Sequence, residues 1–135
     1  MKKHSKSAEE TKAYARELLK AYPEVQYWLL HGELGSGKTT FVKGLAAALG
    51  YQEEKVKSPT FNMVEDHGDF LHVDLYRLTT PDALIEEELE EHAGTGKKII
   101  MEWPERLSKK PQKNSVELYF TYKGGDERTI ELVLH

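Results

Sequence analysis

Residues 32–39 read Gly-Glu-Leu-Gly-Ser-Gly-Lys-Thr, a full match to G-x-x-x-x-G-K-[ST]. What flanks the motif narrows the fold. Before it, Tyr27, Trp28, Leu29 and Leu30 form an apolar run without polar alternation, the pattern of a strand covered on both faces. After it, Phe41, Leu45, Ala48 and Leu49 share one face of a helix that begins near Lys38 and stops at Gly50. Strand, glycine-rich turn and helix, in that order, are what a phosphate-binding loop requires. An accidental match in a chain of this length arises in roughly one of a few hundred proteins, and an ordinary glycine-rich turn would not need these flanks.

Each position has a physical task. Glycines at 32, 35 and 37 let successive N–H groups turn inward as an anion nest, and the helix starting at Lys38 adds its positive end. Glu33, Leu34, Gly35, Ser36, Gly37, Lys38, Thr39 and Thr40 are therefore the candidates for holding the phosphates of a nucleoside triphosphate. Lys38 is placed to reach the β and γ oxygens, and the Thr39 hydroxyl to ligate Mg²⁺.

Such a loop needs a carboxylate at the end of a neighbouring strand. Asp74 follows Phe70-Leu71-His72-Val73, and Glu102 follows Ile99-Ile100-Met101. Pattern alone divides the direct ligand role evenly between them, and either could instead be a helix cap or an ion-pair partner of Arg77 or Arg106. Thr60, in Ser58-Pro59-Thr60-Phe61, lies where nucleotide switches place a γ-phosphate sensor, although a lone Thr more often bonds within a turn. His72 and Asp74 share a strand face, but two ligands are too few for a metal centre. Trp103 reads as core or as a platform at the site edge.

The remaining pattern completes an α/β order. Ser7 and Glu10 form a capping box for a helix over residues 8–21, ended by Pro23. Residues 61–65 and 70–74 read as strands, Thr80 caps and Pro81 opens a helix running to about His92, and residues 98–101 form a second buried strand ending at Glu102. Alternating apolar residues on both sides of Gly124-Gly125 predict a C-terminal hairpin with one face in the core.

Composition sets the outer limits. The 135 residues fill one domain, spanning residues 1–135, with little room for a separate substrate domain. The absence of Cys excludes a disulfide framework, a thiolate zinc site and a cysteine nucleophile. With no long apolar run, no membrane association and a cytoplasmic location are expected. A net charge of −4 argues against a generally basic nucleic-acid surface. The acidic block at Asp82, Glu86, Glu87, Glu88, Glu90 and Glu91, and the basic residues Lys97, Lys98, Arg106, Lys109, Lys110 and Lys113, read first as solvated faces and second as docking surfaces.

The motifs GELGSGKTTF (32–41), SPTF (58–61), HVDLYRL (72–78) and EWP (102–104), in this order, resemble the TsaE family of bacterial tRNA threonylcarbamoyladenosine (t6A) biosynthesis. The resemblance runs from about residue 7 to the C-terminal hairpin. It implies a single-domain P-loop NTPase-like α/β fold with a mixed central sheet flanked by helices. It also implies ATP, and Mg²⁺ held by Thr39 and Glu102, which breaks the even split in favour of Glu102. Asp74 becomes a second carboxylate needed for hydrolysis, acting through a water, and Thr60 part of a switch-like loop. The family's adenine pocket draws on the N-terminal segment and the hairpin, making Ser7, Glu9, Thr11 and Arg128 loose candidates. The implied partners are TsaB and TsaD, with tRNA engaged only through them.

Two alternatives remain on the sequence. One is a small-molecule kinase using Asp74 or Glu102 as base, with the basic 106–113 stretch as a lid. The other is a module that binds ATP without hydrolysing it. No N-K-x-D segment supports guanine recognition. With no arginine finger evident beside the loop, hydrolysis by the chain alone is expected to be weak.

Overall fold

The computed structural model describes residues 1–57 and 63–135. Its centre is β2 (Tyr27–His31), whose apolar run is paired on both edges and covered on both faces, as the absence of alternation requires. Seven strands form one mixed sheet in the order β1-β7-β6-β2-β5-β4-β3. Strand β2 runs parallel to β5 (Lys98–Glu102) and to β6 (Ser115–Gly124), and β5 runs parallel to β4 (Phe70–Asp74). The antiparallel pairs are β3 (Val64–Asp66) with β4, β6 with β7 (Glu127–Leu134), and β7 with β1 (Lys2–Ser5).

Two apolar clusters sandwich the sheet. On one face, α1 (Ala8–Ala21) and α2 (Lys38–Ala48) pack Leu18, Phe41 and Leu45 against Trp28, Leu30, Ile100, Leu118 and Ile130. On the other, α3 (Ala83–Gly94) packs Leu89 against Leu29, Leu71, Val73, Ile99 and Met101. No described helix is long and apolar enough to cross a membrane.

Helix α1 has the expected bounds, with the Ser7 side chain accepting from the Glu10 N–H; the Glu10 carboxylate reaches the Lys6 N–H, one residue before the position a capping box would give. Helix α3 corrects the sequence expectation. Its cap is Asp82, not Thr80, and it starts at Ala83 rather than Pro81, because the Asp82 carboxylate takes both the Leu84 and Ile85 N–H groups. Among the described residues, the strand expected over 61–65 is confined to Val64–Asp66, and residues 58–62 lie outside the description. Strand β1 was not expected: Lys-Lys-His-Ser lacks an apolar pattern, and edge pairing with β7 from Glu131 to Arg128 holds it.

Candidate nucleotide site

Register builds the site. Leu30, Glu102 and Asp74 lie level across β2, β5 and β4, so three parallel strands end in one row where the glycine-rich turn begins. The pleat places Glu102 and Asp74 on the same sheet face as Trp28, Leu30 and Ile100, the face that α2 covers. The helix carrying Lys38 and both candidate carboxylates therefore meet at one corner.

The turn has the conformation the motif demands. Gly35 (φ 78°) and Gly37 (φ 104°) are left-handed, and Gly37 caps α2 with no side-chain hydrogen bond at that cap. The Ser36 hydroxyl is buried and has no partner. Lys38 is almost fully buried; its ammonium donates to the Gly32 carbonyl and sits 4.3 Å from the centre of the Trp103 ring. Burial lowers the Lys38 pKa below 10.5, and the charges of Glu102, Asp74, Glu105 and Glu33 work against that drop. A helix start with no side-chain cap, a buried Ser36 hydroxyl and a Lys38 ammonium on a carbonyl and a ring suit the binding of a triphosphate.

The carboxylates differ. Glu102 is buried, and the His72 Nε2–H donates to its Oε2 at 2.7 Å. Asp74 is half-buried and accepts the Tyr76 N–H at 3.0 Å. Burial pushes the Asp74 pKa above 3.8; the Tyr76 N–H opposes the rise and the Glu102 charge adds to it. Neither carboxylate caps a helix. Arg106 pairs with neither, donating instead to the carbonyls of Tyr76 and Leu78. With Thr39 on the first turn of α2, the carboxylate of Glu102 completes a pair of oxygen donors of the kind that suits Mg²⁺, and Asp74 lies level beside it. No group of three His, Asp or Glu residues with metal-site geometry occurs among the described residues. Thr60 lies outside the described residues.

Trp103 lies at the edge of the site rather than deep in the core. It is left-handed (φ 61°, ψ 48°), a conformation that costs a residue with a Cβ roughly 1–2 kcal/mol. Its ring contacts Lys38, Tyr76 (5.1 Å) and Arg106 (5.4 Å). Sequence reasoning missed the strain and the Lys38 contact; the Pro104 that follows, which disfavours the right-handed helix for the residue before it, was the available signal.

The four loose candidates separate. Arg128, in β7, packs its guanidinium on Gly37, and its Nε is buried without a partner. Ser7 is committed to its cap, and Thr11 is fully buried, bonded to the Ser5 hydroxyl (2.7 Å) and the Ser7 carbonyl. Glu9 is exposed, 3.6 Å from Lys12. The β1–β7 register sets Ser5 opposite Arg128, so the 5–11 corner and the hairpin stand side by side.

Of the charged runs, Glu87, Glu88, Glu90 and Glu91 are solvated on α3, while Glu86 accepts from Ser108 at 2.6 Å. The 107–113 segment, with Tyr27, Leu89 and Met101, lines a cavity of about 550 Å³ that contains no residue of the glycine-rich turn. On the opposite sheet face, that of Leu29, His31 (2.8 Å), Lys110 (2.7 Å) and His135 (2.7 Å) converge on the buried carboxylate of Glu117.

Comparison with known proteins gives this geometry a family. A model described as threonylcarbamoyl adenosine biosynthesis protein TsaE matches residues 5–130. Among relatives named tRNA threonylcarbamoyladenosine biosynthesis protein TsaE, that of Haemophilus influenzae is 34% identical over 90% of this chain and 79% of its own. That of Aquifex aeolicus is 40% identical over 74% of each chain. The crystal structure of Bacillus subtilis YdiB superposes with a TM-score of 0.70 at 30% identity, covering 96% of this chain and 82% of that one. A glycine-rich turn, level strand ends bearing Asp74 and Glu102, and matches over nearly the whole length lead to one assignment: the chain belongs to the TsaE family.

Proposed function

We propose that the chain is a Mg²⁺-dependent ATPase that supports the TsaB and TsaD proteins in forming t6A on tRNA, touching tRNA only through them. The observation that carries this reading is the convergence of Lys38, Glu102 and Asp74 at one row of strand ends beside an uncapped helix start. The names of the relatives supply the pathway.

The backbone N–H groups of residues 33–40 cradle the phosphates. Lys38 leaves the Gly32 carbonyl to meet the β and γ oxygens. Thr39 and Glu102 hold Mg²⁺, which when bound neutralises charge on the phosphate oxygens. Asp74, its pKa raised by burial, orients the attacking water, and Thr60 senses the γ-phosphate. Arg128 and the 5–11 corner, with Ser7, Glu9 and Thr11, border the nucleoside. Arg106 is spent on backbone carbonyls, so turnover by the chain alone is slow and depends on groups supplied by partners.

The test is phosphate release and t6A formation by the chain with TsaB and TsaD. Lys38→Ala and Glu102→Ala should remain folded, lose ATPase activity and fail to support modification. Full modification with either variant overturns the proposal, and a phosphorylated small-molecule product would favour a kinase.

A further inference from the structure

His72 is the one fully buried histidine among the described residues, with no exposed surface. Only one of its ring nitrogens is used. Nε2 lies 2.7 Å from Glu102 Oε2, while Nδ1 is buried and has no hydrogen-bond partner. A carboxylate offers only acceptors, so the proton of that bond is on Nε2, and Nδ1 is left without a partner. A buried ring with one orphaned nitrogen is a poor choice for packing alone, because an apolar side chain would fill the space among Phe70, Ile100 and their neighbours without that cost. The one compensation in view is the bond to Glu102.

Geometry explains why that bond matters. His72 sits opposite Ile100 in the β4–β5 register, two residues before the level of Glu102 and on the same sheet face. Glu102 has three rotatable side-chain bonds and stands at the last position of its strand, where the chain turns at once into the left-handed Trp103. No other side-chain donor holds its carboxylate among the described residues. The bond engages Oε2 and leaves Oε1 for a ligand.

The geometry points to His72 as a positioning residue that fixes the Glu102 carboxylate in the orientation required for Mg²⁺. This rests on the assignment of Glu102 as a metal ligand made above. Donors that orient ligating carboxylates typically govern metal affinity by about 10–100-fold. The role assigns His72 no contact with nucleotide or metal.

The test titrates MgCl₂ against the protein saturated with a nonhydrolysable ATP analogue, reading the midpoint of thermal unfolding. His72→Phe keeps a ring and removes the donor; His72→Leu serves if the Phe variant does not fold. His72→Gln places an amide N–H where Nε2 stood. The Phe or Leu variant should need about tenfold more Mg²⁺ for half of the metal-dependent stabilisation, with nucleotide binding in EDTA unchanged, and the Gln variant should return to within about threefold of the parent. A Phe or Leu variant with the parental Mg²⁺ dependence, or a Gln variant as impaired as Phe, overturns the proposal. Glu102→Gln is titrated in parallel. If it too keeps the parental Mg²⁺ dependence, the assignment of Glu102 falls and takes this proposal with it; if only Glu102→Gln is impaired, the role of His72 alone is refuted.

Discussion

The guanidinium of Arg128 occupies the space that a side chain on Gly37 would need: a Cβ built there would collide with Nη1 and stand 2.8 Å from Cδ and 3.0 Å from Cζ. The turn thus meets two independent demands at one residue, a left-handed backbone and a flat surface against β7. Gly37→Ala should destabilise the protein for both reasons. In a double-mutant cycle with Arg128→Ala, the double variant should recover the contact part and keep a backbone penalty of about 1–2 kcal/mol. Strictly additive effects in denaturant melts would show that the two residues do not compete for space.

Trp103 should report nucleotide binding. Its ring lies against the Lys38 ammonium, which must move to meet phosphates, whereas Trp28 is fully buried in the core. Adding the Mg²⁺ complex of an ATP analogue should change tryptophan emission in the parent and in Trp28→Phe, and leave it flat in Trp103→Phe. An unchanged signal in the parent at saturating nucleotide would count against the proposed movement of Lys38.

Glu117 should make the protein acid-labile. Burial by itself would raise its pKa, yet donors on Lys110, His135 and His31 outweigh that and bring it down from 4.5 to about 2. The folded state therefore binds fewer protons than the unfolded chain between these values, and stability falls as pH drops through that window. The carboxylate contributes on the order of 2 kcal/mol near neutral pH. Glu117→Gln should be less stable than the parent at neutral pH, and urea melts should bring the two together as pH approaches about 2. A constant difference across that range would refute the assignment.

Gly44 marks where α1 and α2 come closest. A Cβ there would lie 2.7 Å from the Lys12 carbonyl oxygen and 2.9 Å from the Ala15 Cβ. In an exposed helix, Gly→Ala stabilises by about 1 kcal/mol. Here the obstacle is backbone, and the helices must separate, at a cost of about 1–3 kcal/mol. Gly44→Ala should lower the urea midpoint; a raised midpoint would mean that the helices separate at little cost.

What could be read in advance follows the range of the interactions. Strand β2, the turn and α2 were legible because an apolar run, a fixed-spacing motif and a helical period act within neighbouring residues. The start of α3 was misjudged because Thr80 with Pro81 and Asp82 with its two N–H groups offer competing local signals, and only the folded chain selects Asp82. Strand β1 carries no signal of its own, since its hydrogen bonds belong to β7. In the site, Asp74 and Glu102 were visible as strand ends. The bond from His72 to Glu102 was not, because it spans a parallel pairing whose register the sequence does not state. Arg128 was visible only through resemblance, and its place on Gly37 depends on the same long-range pairing.

The position of β2 has a bearing on how the protein comes into being. One neighbour, β5, begins only at Lys98, and the other, β6, is drawn from residues 115–124. A ribosome that has just delivered the glycine-rich turn has delivered neither wall of its cleft. Closing such distant pairings is slow, so a nascent chain carries an exposed Trp28 and Leu29 until β6 has been made. The proposed ATP site should therefore form late and all at once.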